Sequence, residues 1–144
     1  MATLLGLASR LEAKAKKIEK AGSEISKQTA LFLEGALLWD TPVDTSQALS
    51  NWELTLDAPS YKFIGPHVPG EHGSTQTASI AEAYTLAKAI AAKKKPGQEI
   101  WLSNNAPYIV DLNSGSSAQA PSGYVQSCVF RARMQIPAIA KKVL

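Results

Sequence analysis

Two histidines, one cysteine and two clusters of lysine are the residues of this 144-residue chain whose types invite chemistry. His67, Glu71 and His72 sit close together, and two imidazoles with a carboxylate are a zinc-type donor set. They fall, however, in PHVPGEHGST, residues 66–75, a Pro/Gly segment with no regular period to fix their geometry. No cysteine joins them, and there is no third histidine. The better reading is a flexible exposed loop, with no metal and no cofactor. Cys128 would need an exposed, electropositive setting to act as a nucleophile. It lies instead on an apolar stripe with Val125, Val129 and Ala132, as a packed thiol does. A single cysteine excludes an internal disulfide and fits a reducing compartment. The chain has no Gly-x-Ser-x-Gly elbow, phosphate loop, dinucleotide fingerprint, paired cysteines or His-Glu-x-x-His. Its acidic residues are scattered. The expectation is a protein that is not an enzyme. A hydrolase using Cys128 or the two histidines is the enzymatic alternative, removed by unchanged function in C128A, H67A and H72A.

The lysines carry a weaker message. Arg10, Lys14, Lys16, Lys17 and Lys20 make one segment basic, and Lys93, Lys94 and Lys95 follow a second helical pattern. The formal net charge of +3 is mild and permits an anionic partner without demanding one. A solvated helix face is the plainer reading, nucleic-acid contact the sharper one.

The elements that position these residues read as one α+β domain, residues 1–144. A small antiparallel sheet is packed with a long N-terminal helix, a middle helix and a C-terminal helix. Residues 1–40 supply the helix and 41–144 the α+β body. From Thr3 to Trp39, Leu4, Leu11, Ile18, Ile25, Phe32 and Trp39 recur every seventh residue. Ala8, Ala15, Gly22, Thr29 and Ala36 follow each by four. Large and small residues thus alternate along one stripe, expected to bury the helix on the sheet or on a neighbour. The mixed positions Leu7, Lys14, Ala21, Gln28 and Gly35 argue against a plain two-stranded coiled coil. Thr41-Pro42 ends the helix. Trp52, Leu54 and Leu56 alternate with polar residues as a half-buried strand. Tyr61–Gly65 is expected to be a second strand, making a hairpin or meander. Ser79-x-x-Glu82 suggests a capping box opening the middle helix, with Lys93–Lys95 in its last turn. Glu99–Ser103 forms a further strand. Asn104-Asn105 and Pro107 then open a short helix that Asn113-Ser114-Gly115 stops. Pro121 starts a closing helix, which Pro137 should kink by freeing the carbonyl of Arg133. No segment has the roughly 18 uninterrupted apolar residues of a membrane helix, and the start lacks a signal-like basic region. The chain is expected to be made and used in a cytoplasm.

Two stretches, TPVDTSQALSNW (residues 41–52) and NNAPYIVDLNSGSSAQAPSGYV (residues 104–125), together resemble the tail-completion or head–tail joining (neck) proteins of tailed bacteriophages. That family carries a Thr-Pro-Val-Asp-Thr-Gly turn leading into a strand, then Ala-x-Tyr, Glu-x-Gly and a Pro/Gly entry to the last helix. Thr41–Thr45, Ala106 with Tyr108, Gly115, and Pro121 with Gly123 match. Ser46 stands at the family's glycine and Asn113 at its glutamate. The resemblance spans roughly residues 30–144.

It implies a non-enzymatic virion part made in the host bacterial cytoplasm. Such proteins form homo-oligomeric rings, often sixfold, in the neck. A head connector or stopper protein lies on one side and a tail terminator or tube protein on the other. DNA makes only transient contact in the lumen, and no membrane is involved. Subunit-interface residues would then be Thr41, Pro42, Val43, Asp44, Thr45, Tyr108, Leu112, Asn113, Gly115 and Pro121. Lys14, Lys16, Lys17, Lys93, Lys94 and Lys95 would line the lumen. The alternatives are a tail terminator capping the tube and, from another class, a small basic nucleic-acid-binding protein.

Overall fold

A computed structural model describes residues 3–144. Helix α1 (Leu4–Asp40) opens on Thr3, whose Oγ1 accepts from the Gly6 N–H at 3.0 Å. It runs unbroken for 37 residues, about 55 Å at the usual rise. It ends at Thr41, whose extended backbone suits the residue before proline. A single turn, α2 (Gln47–Ser50), leads to strand β1 (Trp52–Leu56). Then follow α3 (Gln76–Ala92), strand β2 (Ile100–Asn104), the short α4 (Ile109–Asn113) and α5 (Tyr124–Val143). The fold is α+β, with a long N-terminal, a middle and a C-terminal helix on a two-stranded antiparallel sheet.

The hairpin expected from Tyr61–Gly65 does not form. β1 pairs instead with β2, in a register that sets Leu54 opposite Leu102 and Trp52 opposite Asn104. Residues 61–65 form no strand. The Asn51 side chain donates to the Ile64 carbonyl and accepts from the Ile64 N–H, both at 2.9 Å. One amide thereby satisfies the groups a strand would have paired.

Ala83, Ala87 and Ala91 recur every fourth residue on α3, and all three are buried. The small side chains of Ala87 and Ala91 let the helix lie close on Leu54, and Ala83 joins the core around Trp52. Leu37, Leu38, Val43, Leu49, Trp52, Ile80 and Cys128 form the main core. The face of α1 that enters it is not the seventh-residue stripe. Leu37 and Leu38 are buried, whereas Phe32 and Trp39 remain exposed. Phe32 and Trp39 lie instead at the edge of an open groove with Thr77, Ile80, Ala81 and Tyr84 of α3 and Arg131 of α5. The second half of α1 is therefore part of the body.

Two expected helix starts also move. Ser79 is no cap; it is buried within α3, and its hydroxyl bridges the N–H and carbonyl of Val68 at 3.1 Å each. The cap position is Thr75. The closing helix begins at Tyr124, after left-handed Gly123, rather than at Pro121. Asn113 serves that start from a distance: its Oδ1 accepts from Val125 N–H at 3.0 Å and its carbonyl from Gly123 N–H at 2.6 Å. α5 runs on through Pro137 to Val143.

Ser46 has φ 69° and ψ 10°, the left-handed region, and is buried. Its hydroxyl lies 2.9 Å from Thr75 Oγ1. Glycine adopts this conformation freely, whereas an L-residue loses roughly 1–2 kcal/mol there. Ser46→Gly should relieve the strain and lose the hydroxyl contact, leaving stability within about 1 kcal/mol. Ser46→Val, β-branched in the same conformation, should lose more than about 2 kcal/mol. Urea unfolding of the two variants checks the pair; equal losses would contradict a backbone demand at this turn.

Candidate functional site

The two loops singled out by the sequence meet in the fold. The Gln119 side chain reads the backbone of Val43 from both sides: Oε1 accepts from its N–H at 2.9 Å, and Nε2 donates to its carbonyl at 3.0 Å. A groove of about 270 Å³ opens between them, lined by Thr45, Tyr108, Leu112 and Gln119 among others. Asp44, Thr45 and Tyr108 face solvent on this side. Gly115 and Pro121 are exposed as well, Gly115 at φ 91° with Ser122 close behind it.

Other members of the expected interface point inward. Thr41, Pro42 and Val43 are buried and cannot present themselves to a neighbour. Thr41 Oγ1 donates to the Leu37 carbonyl at 2.6 Å, accepts from Trp52 Nε1 at 2.8 Å and lies 3.2 Å from Tyr124 OH. Asn113 is engaged at the start of α5. The polarity of these residues serves the protomer's own joints: a threonine, an asparagine and a glutamine fasten chain segments that share no regular secondary structure.

Asp44 does the same for the 66–75 loop. Its carboxylate accepts from His72 N–H at 2.7 Å and its carbonyl from Gly73 N–H at 2.8 Å. Ser50 Oγ accepts from His67 N–H at 3.0 Å. The loop is thus pinned at both ends. His67, Glu71 and His72 do not converge, and no group of three or more His, Cys, Asp or Glu does so among the described residues. Cys128 is fully buried; burial pushes its thiol up to about 11. Its Sγ touches Asp40 and Arg131, which form an ion pair between α1 and α5.

The lysines divide. Lys14, Lys16 and Lys17 are exposed on the first half of α1, and Lys93 and Lys95 after α3. Lys94 is 7 % exposed, its Nζ donating to Ser23 Oγ at 2.9 Å and to the Lys95 carbonyl at 3.3 Å. It cannot line a lumen in this state. What it does is dock the turn after α3 onto α1, beside the helical row Lys16, Lys20, Ser23 and Lys27. Lys93 and Lys95, on either side of this anchor, are exposed.

No family model, curated protein or solved structure matches the chain. Among the described residues no helix is long and apolar enough to cross a membrane.

One functional-looking residue was not legible beforehand. Glu34 is 0 % exposed, and neither carboxyl oxygen has a hydrogen-bond partner. Burial, then the charge of Glu53, raises its pKa to about 8, so it is neutral through most of the physiological range. The available signal was its place between Leu31 and Leu38, seven apart, on the face opposite the one the stripe suggested.

Proposed function

We propose that the chain is a structural virion protein of a tailed bacteriophage. It forms a ring in the neck, completes the tail and joins it to the DNA-filled head. The observation that carries this reading is α1: its first half stands clear of the body with large apolar residues bare, so the protomer is incomplete without neighbours. The ordered resemblance over residues 30–144 adds the neck as the place. The groove between the 42–48 and 108–119 segments, with Asp44, Thr45 and Tyr108 at its rim, suits contact with an adjacent subunit or stacked ring. The basic residues Lys16, Lys20, Lys27, Lys93 and Lys95 suit a lumen that DNA slides through, because dispersed cations attract phosphate without gripping it. Labelling the protein in intact particles tests the placement. Label at the head–tail junction is expected; label in the capsid shell or at the distal tail tip would remove the reading. Label at the junction together with binding of purified protein to bare tube ends would favour a tail terminator.

The same basic residues favour one reading of another class, a small nucleic-acid-binding protein. It requires duplex binding that falls steeply with salt. Absence of binding at low salt eliminates it.

A further inference from the structure

Helix α1 carries one apolar stripe along its length, and its N-terminal half has no cover in the protomer. At the end of α1, Asp40 meets Cys128 and Arg131 of α5. Farther back, Ile136 shares a groove with Ile25, Thr29 and Leu33, so α5 runs antiparallel along α1. Beyond Ile25 the stripe continues without cover. Leu4, Leu11 and Ile18 are 86, 58 and 71 % exposed, and residues 7–20 are exposed throughout. The bare half keeps the large–small alternation, with Ala8 and Ala15 each four residues after a leucine. It is an apolar helix face with no second helix against it in the protomer.

The flanks of the stripe show what that helix is. At about 100° per residue, Arg10 and Lys17 lie along one side of the Leu4–Leu11–Ile18 row, and Glu12 and Glu19 along the other. Set two such helices side by side and parallel, and the basic flank of one meets the acidic flank of the next. Set them antiparallel, and like charges face each other. We infer that the Leu4–Lys20 half of α1 docks against the same segment of another copy, in parallel orientation. Each helix offers one flank of each sign, and the mixed positions Leu7, Lys14 and Ala21 disfavour a closed two-stranded pair, so the contact repeats from copy to copy around a ring. The small residues Ala8 and Ala15 let the backbones approach closely. Each contact is short and individually weak; closure links several at once. The inference goes beyond the neck reading by naming the contact surface and its direction, and it rests on the stripe itself.

Sedimentation velocity of the full chain up to roughly 1 mM, where even a contact of about 4 kcal/mol registers, is the first test. Concentration-dependent association is expected. The triple variant L4S/L11S/I18S should weaken it by at least about tenfold without moving the thermal midpoint, because these side chains are exposed in the protomer. E12K/E19K and R10E/K17E should each fail to associate alone and associate when mixed. Direction is read with single variants Leu4→Cys and Ile18→Cys and a short bis-maleimide, Cys128 being buried. Parallel docking gives 4–4 and 18–18 products; antiparallel docking gives 4–18 products. A monomer at every concentration, association indifferent to the three serines, or 4–18 products alone would overturn the inference. None of these outcomes decides whether the protein sits in a neck, and its absence from the neck would leave the helix contact standing.

Discussion

Replacing Glu34 with glutamine should make the protein markedly more stable at pH 8 and change little at pH 4.5. The reason is the uncompensated burial of a carboxyl group. In the unfolded chain Glu34 ionises at its ordinary value of 4.5, and in the fold only near 8. Above pH 4.5 the unfolded state has released a proton that the folded state keeps. Stability therefore falls as pH rises, by about 1.4 kcal/mol per unit, until the folded carboxyl also ionises near pH 8. The accumulated loss is on the order of 4–5 kcal/mol, a large part of the total for a domain of this size. Glutamine removes the ionisation but leaves a buried amide, so the gain at pH 8 should be roughly 2–4 kcal/mol. Glu34→Leu removes the polar group altogether and should gain at least as much at pH 8. Urea unfolding of the parent and both variants at pH 5 and pH 8 measures this. Parallel pH profiles for parent and Glu34→Gln would show that the carboxyl is not held neutral.

Thr41→Val should cost about 2–4 kcal/mol, although the two side chains are nearly isosteric. Thr41 is 1 % exposed, and its single hydroxyl serves three elements. Its proton goes to the Leu37 carbonyl, so Tyr124 OH must act as the donor of their pair, alongside Trp52 Nε1. The end of α1, the start of β1 and the start of α5 are thereby fixed at one oxygen. Valine keeps the volume and leaves two buried donors unpaired, which is the costly half of losing a hydrogen bond. Thr41→Ser keeps the hydroxyl and should lose less than about 1.5 kcal/mol. Thermal unfolding followed by tryptophan fluorescence separates the variants. Equal midpoints for valine and serine would mean the hydroxyl holds nothing together.

What could be read from the sequence follows the range of the forces involved. The helices are local: α1, α3 and α5 announce themselves by period, and Thr41-Pro42 marks the end of the first. Strand β1 is legible because Trp52 and Leu54 alternate with polar neighbours. Its partner is not, since Leu54 pairs with Leu102 across an intervening helix, while the nearer Tyr61–Gly65 has a strand's composition without a strand's place. The same limit governs the site. The 41–46 and 108–121 segments could be named separately, but the Gln119–Val43 contact that joins them spans 76 positions. Lys94 reads as solvated by its type, and only the distant hydroxyl of Ser23 explains its burial. Ser46 and Asn113, the departures from the resembled pattern, acquire roles in the protomer: one occupies a left-handed turn, the other starts α5.

The seventh-residue stripe divides at Ile25. Ile25 and Thr29 share a groove with Ile136 of α5, Phe32 and Trp39 stay exposed beside α3, and the N-terminal half meets solvent. Periodicity reports that a face is apolar, and it does not report what covers it.

The central claim, that this chain joins heads to tails, is tested most directly by electron microscopy of lysates from a phage lacking the gene. DNA-filled heads lying apart from finished tails are the expected result, with infectivity restored by the chain supplied in trans. Normal, infectious particles would contradict the claim outright.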